Sequence, residues 1–447
     1  MTLTRPNVLD FIGGRKRTFV IPLFQRNYEW KKENCKELFE DIVCLVREPN
    51  STHYFGNVLF YCGSSEGGFE TRILIDGQQR ITTILLLLAA LRDSCKDEKM
   101  VQEINTDLIF NTNAHQGDEY RVRLKQTAMD MDAFSNIAER KAASGKIKEN
   151  YDFFVKAIKD RGLSPKDIYD SLTRLIIVGI DLASGNDLKK VQTVFEKINS
   201  TGAELSGADL IRNWILLVKD ESEQKSLYEN YWKKIEQEVG SENIASFLRD
   251  YLIIKGKEQV TQDGKKVYKA FKSTFDSADK KELLKDIQSY SNYYKMIIDS
   301  SFERMATKDD KQVSFWLQAT YELEILLRPL ILYALHKLHL SNKKELIKIL
   351  ELLVSYRIRH LICRVAKGGG VIESLVLQLL NKLDNNEEEV SLTHDWLLYQ
   401  LSEVDILKKK FPTDEEFKEA LMKYPLNAKV IVEGFYFYIP CTLKFYI

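Results

Sequence analysis

The sequence lacks the short motifs that identify two common enzyme classes. No Gly-x-x-x-x-Gly-Lys-Ser/Thr segment is present, which argues against P-loop nucleotide chemistry. No Gly-x-Ser-x-Gly segment is present either, so nothing indicates a serine hydrolase. The glycine run Gly368–Gly370 is not followed by Lys-Ser or Lys-Thr, and it predicts a flexible turn.

The sequence also has no recognisable targeting segment. Its N-terminus, Met1–Pro6, lacks the charged and then apolar pattern of a signal peptide. The apolar run Ile84–Leu91 is too short to cross a bilayer. We therefore expect a cytoplasmic protein without a membrane partner.

Cysteine and histidine are scarce and scattered. None of the six cysteines forms a Cys-x-x-Cys pair, which is typical of reduced thiols in a cytosolic protein. His336 and His339 lie three residues apart on an apolar helix, but no acidic or thiol residue stands at ligand spacing. We expect no metal site.

Charge of one sign is not in excess, since 65 basic residues stand against 65 acidic ones. This balance argues against a protein that coats DNA nonspecifically, although local basic patches remain compatible with it. The chain has 447 residues, 44% hydrophobic and 29% charged, as expected for a globular protein of two or three domains.

The most informative segment present is Arg72–Leu91. It predicts a buried strand, a polar turn and then a helix that is covered on most sides. The start of such a helix offers unpaired backbone N–H groups and the positive end of the helix dipole. Gly77, three residues before Arg80, allows close backbone approach, so the pattern predicts an anion cradle for a phosphate.

A plainer interpretation exists for the same residues. Asp76-Gly77 is ordinary turn chemistry, and Arg80 could form a solvated ion pair with Asp76. A second polar cluster upstream favours the cradle, because Gln25-Arg26 interrupts another apolar run. Two such interruptions beside two predicted strands indicate one shared pocket.

Three motifs of this region resemble the GmrS-type N-terminal domain found in modification-dependent (type IV) restriction systems and in phosphorothioate-sensing anti-phage proteins. They are Phe24-Gln25-Arg26-x-Tyr28-x-Trp30, Tyr54-Phe55-Gly56-Asn57 and Asp76-Gly77-Gln78-Gln79-Arg80-x-Thr82-Thr83. Three later segments are also similar to the family: Val194–Leu205, Ala208–Asn213 and Ser355–Cys363. The domain is similar to the ParB/sulfiredoxin superfamily, whose Gly-x-x-Arg loop holds nucleotide phosphates.

The resemblance implies an α+β fold, with a ParB/sulfiredoxin-like N-terminal α+β domain followed by a mostly α-helical domain. We expect the first domain at residues 1–215 with a helical insertion at about 97–170, and an all-helical domain at 216–426. Residues 18–22, 57–62, 70–75 and 175–181 predict strands. Within the helical part, Gln259–Tyr268 predicts a hairpin or exposed loop, and Lys308–Gln312 predicts a solvated loop.

The resemblance implies nucleotide use, with Gly77 and Arg80 at the positions of the Gly-x-x-Arg loop, and the residues of this sequence locate the rest of the site. The phosphate-binding set is Gln25, Arg26, Gly77, Gln78, Gln79, Arg80, Thr82 and Thr83. Asp76 is the candidate catalytic carboxylate, which would orient a water molecule or a metal ion. Tyr28 and Trp30 are candidates for stacking on a base, and a core role is equally compatible with their pattern.

Further polar residues are candidates for the pocket wall: Asn57, Asn199, Asp209, Arg212 and Asn213. Asn199 ends a predicted helix and Asp209 lies in the first turn of the next, so local capping is the alternative. We expect this elbow to return to the first domain and to close one side of the pocket.

The end of the chain departs from the family pattern. In the family, the segment Phe411–Leu426 leads into a His-Asn-His nuclease domain, which needs a histidine base and a metal. Here residues 427–447 are aromatic, contain no histidine and read as an aberrant or truncated tail. We therefore expect no nuclease activity from this chain alone, and a separate nuclease subunit would be its partner.

Two functions follow as expectations. The first is an NTP-binding sensor module of a modification-dependent DNA restriction and anti-phage system, with NTP and Mg²⁺ as cofactors and modified DNA as a partner. Hydrolysis of the NTP is a separate expectation for this module. The second is a non-enzymatic DNA-binding adaptor that places the same basic residues on the phosphodiester backbone.

Overall fold

The structure is a computed structural model, and it describes residues 2–14, 16–23, 25–63, 70–111, 121–127, 129–182, 188–199, 206–218, 221–261, 263–299, 307–323, 325–363, 369–383, 390–402 and 411–423. The chain forms two compact units. The first contains Met1–Leu205 and Arg212–Tyr228, and the second contains Ser206–Ile211 and Glu229–Ile447. A mixed sheet with helices occupies the first unit, and the described part of the second is helical, which confirms the predicted α+β fold with a mostly helical C-terminal region.

One six-stranded sheet forms the centre of the first unit. Its strands are β1 (Thr2–Thr4), β2 (Arg17–Val20), β3 (His53–Cys62), β4 (Glu70–Asp76), β5 (Leu124–Lys125) and β6 (Leu175–Asp181), in the spatial order β1-β6-β3-β4-β2-β5. β2 is parallel to β4 and β5, and β3 is parallel to β6. β3 is antiparallel to β4, and β1 is antiparallel to β6. All four predicted strands are confirmed.

The direction of these strands brings the predicted site to one end of the strands. β2, β4 and β5 run the same way, so the segments that follow them emerge together. Because β3 runs the opposite way, its second half pairs with β4, and Leu59 lies opposite Asp76 at the end of β4. Segments far apart in sequence therefore meet at the start of the helix that follows β4.

The helices of the first unit cover the sheet and one another. They are α1 (Val8–Ile12), α2 (Lys32–Arg47), α3 (Gln78–Ser94), α4 (Glu98–Glu103), α5 (Met131–Ala138), α6 (Gly145–Arg161), α7 (Pro165–Leu172), α8 (Leu188–Asn199), α9 (Gly207–Leu216), whose first residues belong to the second unit, and α10 (Glu221–Leu227). Every side chain from Ile81 to Leu91 on α3 is buried, and α3 packs against α5, α6 and α7. A helix that is apolar on all faces is stable only when it is covered in this way.

The insertion at about 97–170 is more than helical. It contains α4 to α7, as predicted, but it also contributes β5 to the edge of the sheet beside β2. The prediction missed this strand because two residues are too short to show an alternating pattern.

The second unit contains the remaining helices. They are α11 (Lys233–Val239), α12 (Ile244–Gly256), α13 (Gly264–Phe275), α14 (Lys280–Ile298), α15 (Lys308–Leu323), α16 (Arg328–Leu338), α17 (Lys343–Ile362), α18 (Gly369–Leu383), α19 (His394–Ser402) and α20 (Asp414–Lys423). The buried Arg359 on α17 donates to the Pro412 carbonyl at 3.0 Å and pairs with Asp414, so it fixes the start of α20. A capping box between Thr413 and Glu416 completes this start, as predicted.

Three predictions for this region are wrong in part or in full. The expected hairpin or loop at 259–268 is a loop at the described residues 259–261 and 263, but α13 begins at Gly264, because the Asp263 carboxylate caps the N–H groups of Lys265 and Lys266. The expected loop at 308–312 is the first turn of α15, which Thr307 caps by accepting from the Asp310 N–H. The expected flexible turn at 368–370 overlaps the first residues of α18.

Two other findings concern the whole chain. No helix among the residues described is long and apolar enough to cross a membrane. The predicted tail at 427–447 lies outside the described residues.

Candidate functional site

The start of α3 is formed by a glycine. Gly77 stands at its N-cap with a left-handed backbone (φ 91°), and within the described residues no side-chain cap hydrogen bond is present there. The first helical hydrogen bond runs from the Ile81 N–H to the Gly77 carbonyl. A Cβ at position 77 would lie 2.9 Å from Val58 Cγ2 and 3.1 Å from the Asn57 carbonyl oxygen, so only glycine fits. An uncapped helix start of this kind is suited to a phosphate.

Arg80 lies across a bulge in β3. Its Nη1 donates to the Asn57 carbonyl at 3.2 Å. The pairing of β3 with β6 shifts between Tyr54 and Gly56, which leaves one extra residue in β3. Gly56 has φ +131°, and a Cβ there would lie 2.8 Å from Arg80 Nε. Gly56 therefore makes room for the guanidinium, a role that the sequence signalled only by the position of Gly56 in a motif.

The plainer interpretation of Arg80 is not supported. Arg80 and Asp76 form no ion pair in the described part of the chain, and the guanidinium instead contacts backbone. Arg80 is half-buried, so its remaining N–H groups are available to a bound group. Asp76 ends β4 in a half-buried position, and its catalytic role stays a prediction.

The Gln25-Arg26 segment is fixed to the start of α3. The buried Gln25 donates from Nε2 to the Ile75 carbonyl at 3.0 Å and accepts from Gln78 Nε2 at 3.1 Å. Arg26, the next residue, is half-buried, and its buried Nε has no hydrogen-bond partner within the described residues. A buried guanidinium N–H without a partner is costly, which favours a ligand at this position.

Gln79 holds the following segment in place. Its Oε1 accepts from the N–H groups of Glu29 at 2.7 Å and Trp30 at 3.2 Å. Its Nε2 donates to the Asn27 carbonyl at 3.0 Å. The side chain is therefore engaged within the protein and acts by positioning the loop rather than by direct contact with phosphate.

Thr82 and Thr83 are fully buried, which does not support their predicted direct contact with phosphate. Their hydroxyls donate to the carbonyls of Gln78 and Gln79 at 2.8 Å each. Gln126 Nε2 donates to the Thr82 hydroxyl at 2.7 Å. These contacts satisfy the hydroxyls inside the core.

The core role of Tyr28 is favoured over base stacking. Tyr28 is only 3% exposed, and its hydroxyl lies 2.8 Å from Thr83 Oγ1 and 3.1 Å from Asn150 Nδ2. Burial raises the pKa of Tyr28 far above its ordinary value, so it stays neutral. Trp30 is only partly buried at the edge of the core, and its stacking role stays a prediction.

The predicted pocket wall is placed in part. Asn57 supplies its carbonyl to Arg80, and its side chain accepts from the Tyr54 hydroxyl at 2.7 Å. Asp209 Oδ2 accepts from Ser206 Oγ at 2.8 Å, and the Asp209 N–H donates to Ser206 Oγ, which confirms the capping alternative for Asp209.

The structure does not test the predicted roles of the other three candidates for the pocket wall. Asn199 is the last residue of α8, and its side chain lies outside the described residues. Arg212 is half-buried and Asn213 is buried on α9. Their closure of the pocket stays a prediction.

Sequence reasoning missed the residues that support the site from a distance. Asp130 Oδ2 accepts from the Tyr28 N–H at 2.6 Å, and burial raises the pKa of Asp130. Thr127 Oγ1 donates to Asn27 Oδ1 at 2.8 Å. Asn150 Nδ2 donates to the Trp30 carbonyl at 2.8 Å. No local pattern marks these partners, because each lies about a hundred residues away in sequence.

The comparisons with known proteins concern the region that contains this site. Residues 8–216 match the family model described as GmrSD restriction endonuclease, N-terminal domain, which includes all the elements around the start of α3. No curated protein matches the chain. Among the described residues, no three His, Cys, Asp or Glu side chains form a group that could hold a metal ion.

Proposed function

Residues 8–216 form an N-terminal domain of the GmrSD restriction endonuclease family, and we propose that this domain binds a nucleoside triphosphate at the start of α3. The chain is thus a component of a restriction system, and NTP binding would be the sensing step of that component. The observation that carries this proposal is the uncapped helix start at Gly77 with Arg80 beside it.

Three features support a phosphate chain rather than a neutral ligand. The first-turn N–H groups and the dipole of the seventeen-residue α3 favour an anion. Arg80 is held beside them by the Asn57 carbonyl and keeps further donors available. Arg26 adds a second guanidinium with a buried Nε that has no partner in the described structure. Arg80 on the first turn of α3, together with Arg26 next to the anchored Gln25, would suit several phosphate oxygens at once.

Isothermal titration of ATP, GTP, CTP and UTP tests the proposal directly. At least one NTP should bind the wild-type chain, and Arg80→Ala should weaken that binding about 10- to 100-fold, as expected for the loss of charge-assisted hydrogen bonds. Arg47→Ala is the matched control, because Arg47 is an exposed arginine at the end of α2. Absence of binding to any NTP, or equal binding by Arg80→Ala, refutes the proposal.

Hydrolysis is a separate part of the proposal. Asp76 would orient a water molecule or a phosphate-bound Mg²⁺, because it is the carboxylate that directly precedes the cradle. Asp76→Asn should then retain NTP binding within a few-fold and lose phosphate release. Equal phosphate release by this variant removes Asp76 from the mechanism.

DNA is the partner that membership of a restriction family favours, and modified DNA would be sensed together with NTP. The alternative is a DNA-binding adaptor without NTP use, since the same guanidinium groups suit a phosphodiester backbone. Gel-shift assays on modified and unmodified duplexes, with and without NTP, separate the two. Binding that is unchanged by NTP and weakens steeply with salt favours the adaptor, and NTP-dependent binding that distinguishes the duplexes favours the sensor. Co-purification with a separate nuclease subunit would identify the cutting partner.

A further inference from the structure

A cavity of about 470 Å³ lies at the other end of α3. α3 has seventeen residues, so this cavity is about 25 Å along the helix from Gly77. Its volume falls within the range of small-molecule sites. The cavity belongs to the first unit, and it is separate from every residue assigned above to NTP.

The lining of the cavity is predominantly cationic. Arg92, Arg140, Lys141 and Lys148 contribute four positive charges and Asp93 contributes one negative charge, a net charge of +3 (4 − 1). Glu139 and Asp152 pair with the two lysines from outside the lining, which reduces the local sum to +1 (3 − 2). Each lysine pair has one exposed and one half-buried partner, and ion pairs in contact with solvent contribute little, so a ligand can exchange with them.

Asp93 forms ion pairs with Arg92 and Arg140, and it does not neutralise the two lysines. Arg92 donates to both of its oxygens at 2.8 Å, and Arg140 Nε and the Tyr151 hydroxyl donate at 2.7 and 2.9 Å. Burial alone would raise the pKa of Asp93, but the hydrogen bonds and charge of Arg92, with Arg140 and Tyr151, lower it below its ordinary value. The carboxylate is ionised and fully engaged.

Arg140 is held with its terminal groups available. Its backbone is left-handed (φ 60°), a conformation that non-glycine residues adopt at a cost of about 1–3 kcal/mol when it is strained. Its side chain is 53% exposed. Nε contacts Asp93, and neither Nη group has a partner within the described part of the chain. A guanidinium fork with two available nitrogens is suited to a phosphate.

Part of the lining is suited to an uncharged ring. Val101 and Ile137 contribute aliphatic surface, and Tyr151 contributes a half-buried aromatic ring whose centroid lies 5.7 Å from Lys148 Nζ. A lining that combines cationic groups with apolar and aromatic surface fits a ligand with a phosphate at one end and a planar body at the other.

We propose that this cavity is a second ligand site that binds a nucleoside monophosphate, with the phosphate on Arg140, Lys141 and Lys148 and the base on the wall formed by Val101, Ile137 and Tyr151. The site is independent of the proposed NTP site, and it adds a second nucleotide-sized ligand to this domain.

Equilibrium dialysis with radiolabelled AMP, GMP, CMP and UMP tests this site in the full-length Arg80→Ala chain, in which the proposed NTP site is weakened. At least one nucleotide should bind with one equivalent. Adding Arg140→Asn should weaken binding about 10-fold or more, the equivalent of losing one charge-assisted contact. Asparagine is chosen because it tolerates positive φ.

Two further variants provide a second test of the phosphate contacts and its matched control. Lys148→Met should also weaken binding, and the matched control Lys156→Met, an exposed lysine on the same helix α6, should not. The proposal is overturned if Arg80→Ala binds no mononucleotide, if Arg140→Asn and Lys148→Met bind as tightly as their parent, or if inorganic phosphate competes as well as the nucleotide. A failure here leaves the titration of NTP against Arg80→Ala unaffected, so the two proposals fail separately.

Discussion

Replacing Gln79 with alanine should loosen the loop that carries Arg26 without changing any cation. The substitution removes the acceptor of the Glu29 and Trp30 N–H groups and the donor to the Asn27 carbonyl, three hydrogen bonds in all. Each is worth about 1 kcal/mol net, and water replaces part of the loss because Glu29 is exposed. We expect a cost of about 2 kcal/mol for local opening.

This cost can be measured at the affected amides. A change of about 2 kcal/mol corresponds to about a 30-fold rise in the exchange rate of the Glu29 and Trp30 amides, followed by hydrogen exchange of the peptide containing them. NTP affinity should fall as well, because Arg26 loses its fixed position. Gln102→Ala, an exposed glutamine on α4, is the control. Exchange within about two-fold of the wild type in Gln79→Ala would refute the positioning role.

Three other substitutions give distinct outcomes. Gly77→Ala should lower the free energy of unfolding by about 1–3 kcal/mol, because the φ of 91° and the Val58 side chain 2.9 Å from a Cβ both exclude alanine. The thermal midpoint and NTP binding should both fall, and an unchanged midpoint contradicts the strain. Tyr28→Phe should cost about 1–2 kcal/mol in urea unfolding while its NTP affinity stays within a few-fold, because the lost hydroxyl contacts Thr83 in the core; a large loss of affinity at full stability would restore a direct role. Asp93→Asn should lower the thermal midpoint at neutral pH. Since the pKa of Asp93 in the folded chain is lowered from 3.8, the difference from the wild type should shrink only as the pH falls through and below that value. A difference in thermal midpoint that is independent of pH down to about 3 would contradict the ionised pair.

The strands and the helix start could be predicted from the sequence because both depend on local patterns. The apolar run of β4, the glycine at position 77 and the apolar helix behind it are each recognisable from neighbouring residues in the sequence. Arg80 is adjacent to this turn in sequence, so its place at the edge of the site follows from helix geometry alone.

The internal partners of the polar residues could not be predicted in the same way. Gln79 and Thr83 look like ligand contacts in a motif, yet their partners at positions 27–30 lie about fifty residues away. A helix buried on all faces must satisfy its polar side chains inside the protein, and which groups satisfy them depends on tertiary packing. The prediction of a hairpin at Gly264 was wrong for a related reason, since an Asp-Gly pair such as Asp263-Gly264 occurs both in hairpin turns and at the start of capped helices.

The position of β6 between β1 and β3 has a consequence for how the chain is assembled. Leu59 on β3 pairs with Ile180, 121 residues later (180 − 59), and β1 pairs only with β6. Pairing over such a distance in sequence is slow, because the entropy of loop closure is lost before the contact contributes any stabilising free energy. A nascent or truncated chain that stops before Leu175 contains Arg26, Gly77 and Arg80, yet it lacks the strand that braces the bulged β3 beneath the guanidinium. A fragment made to test the proposed NTP site must therefore extend through Asp181.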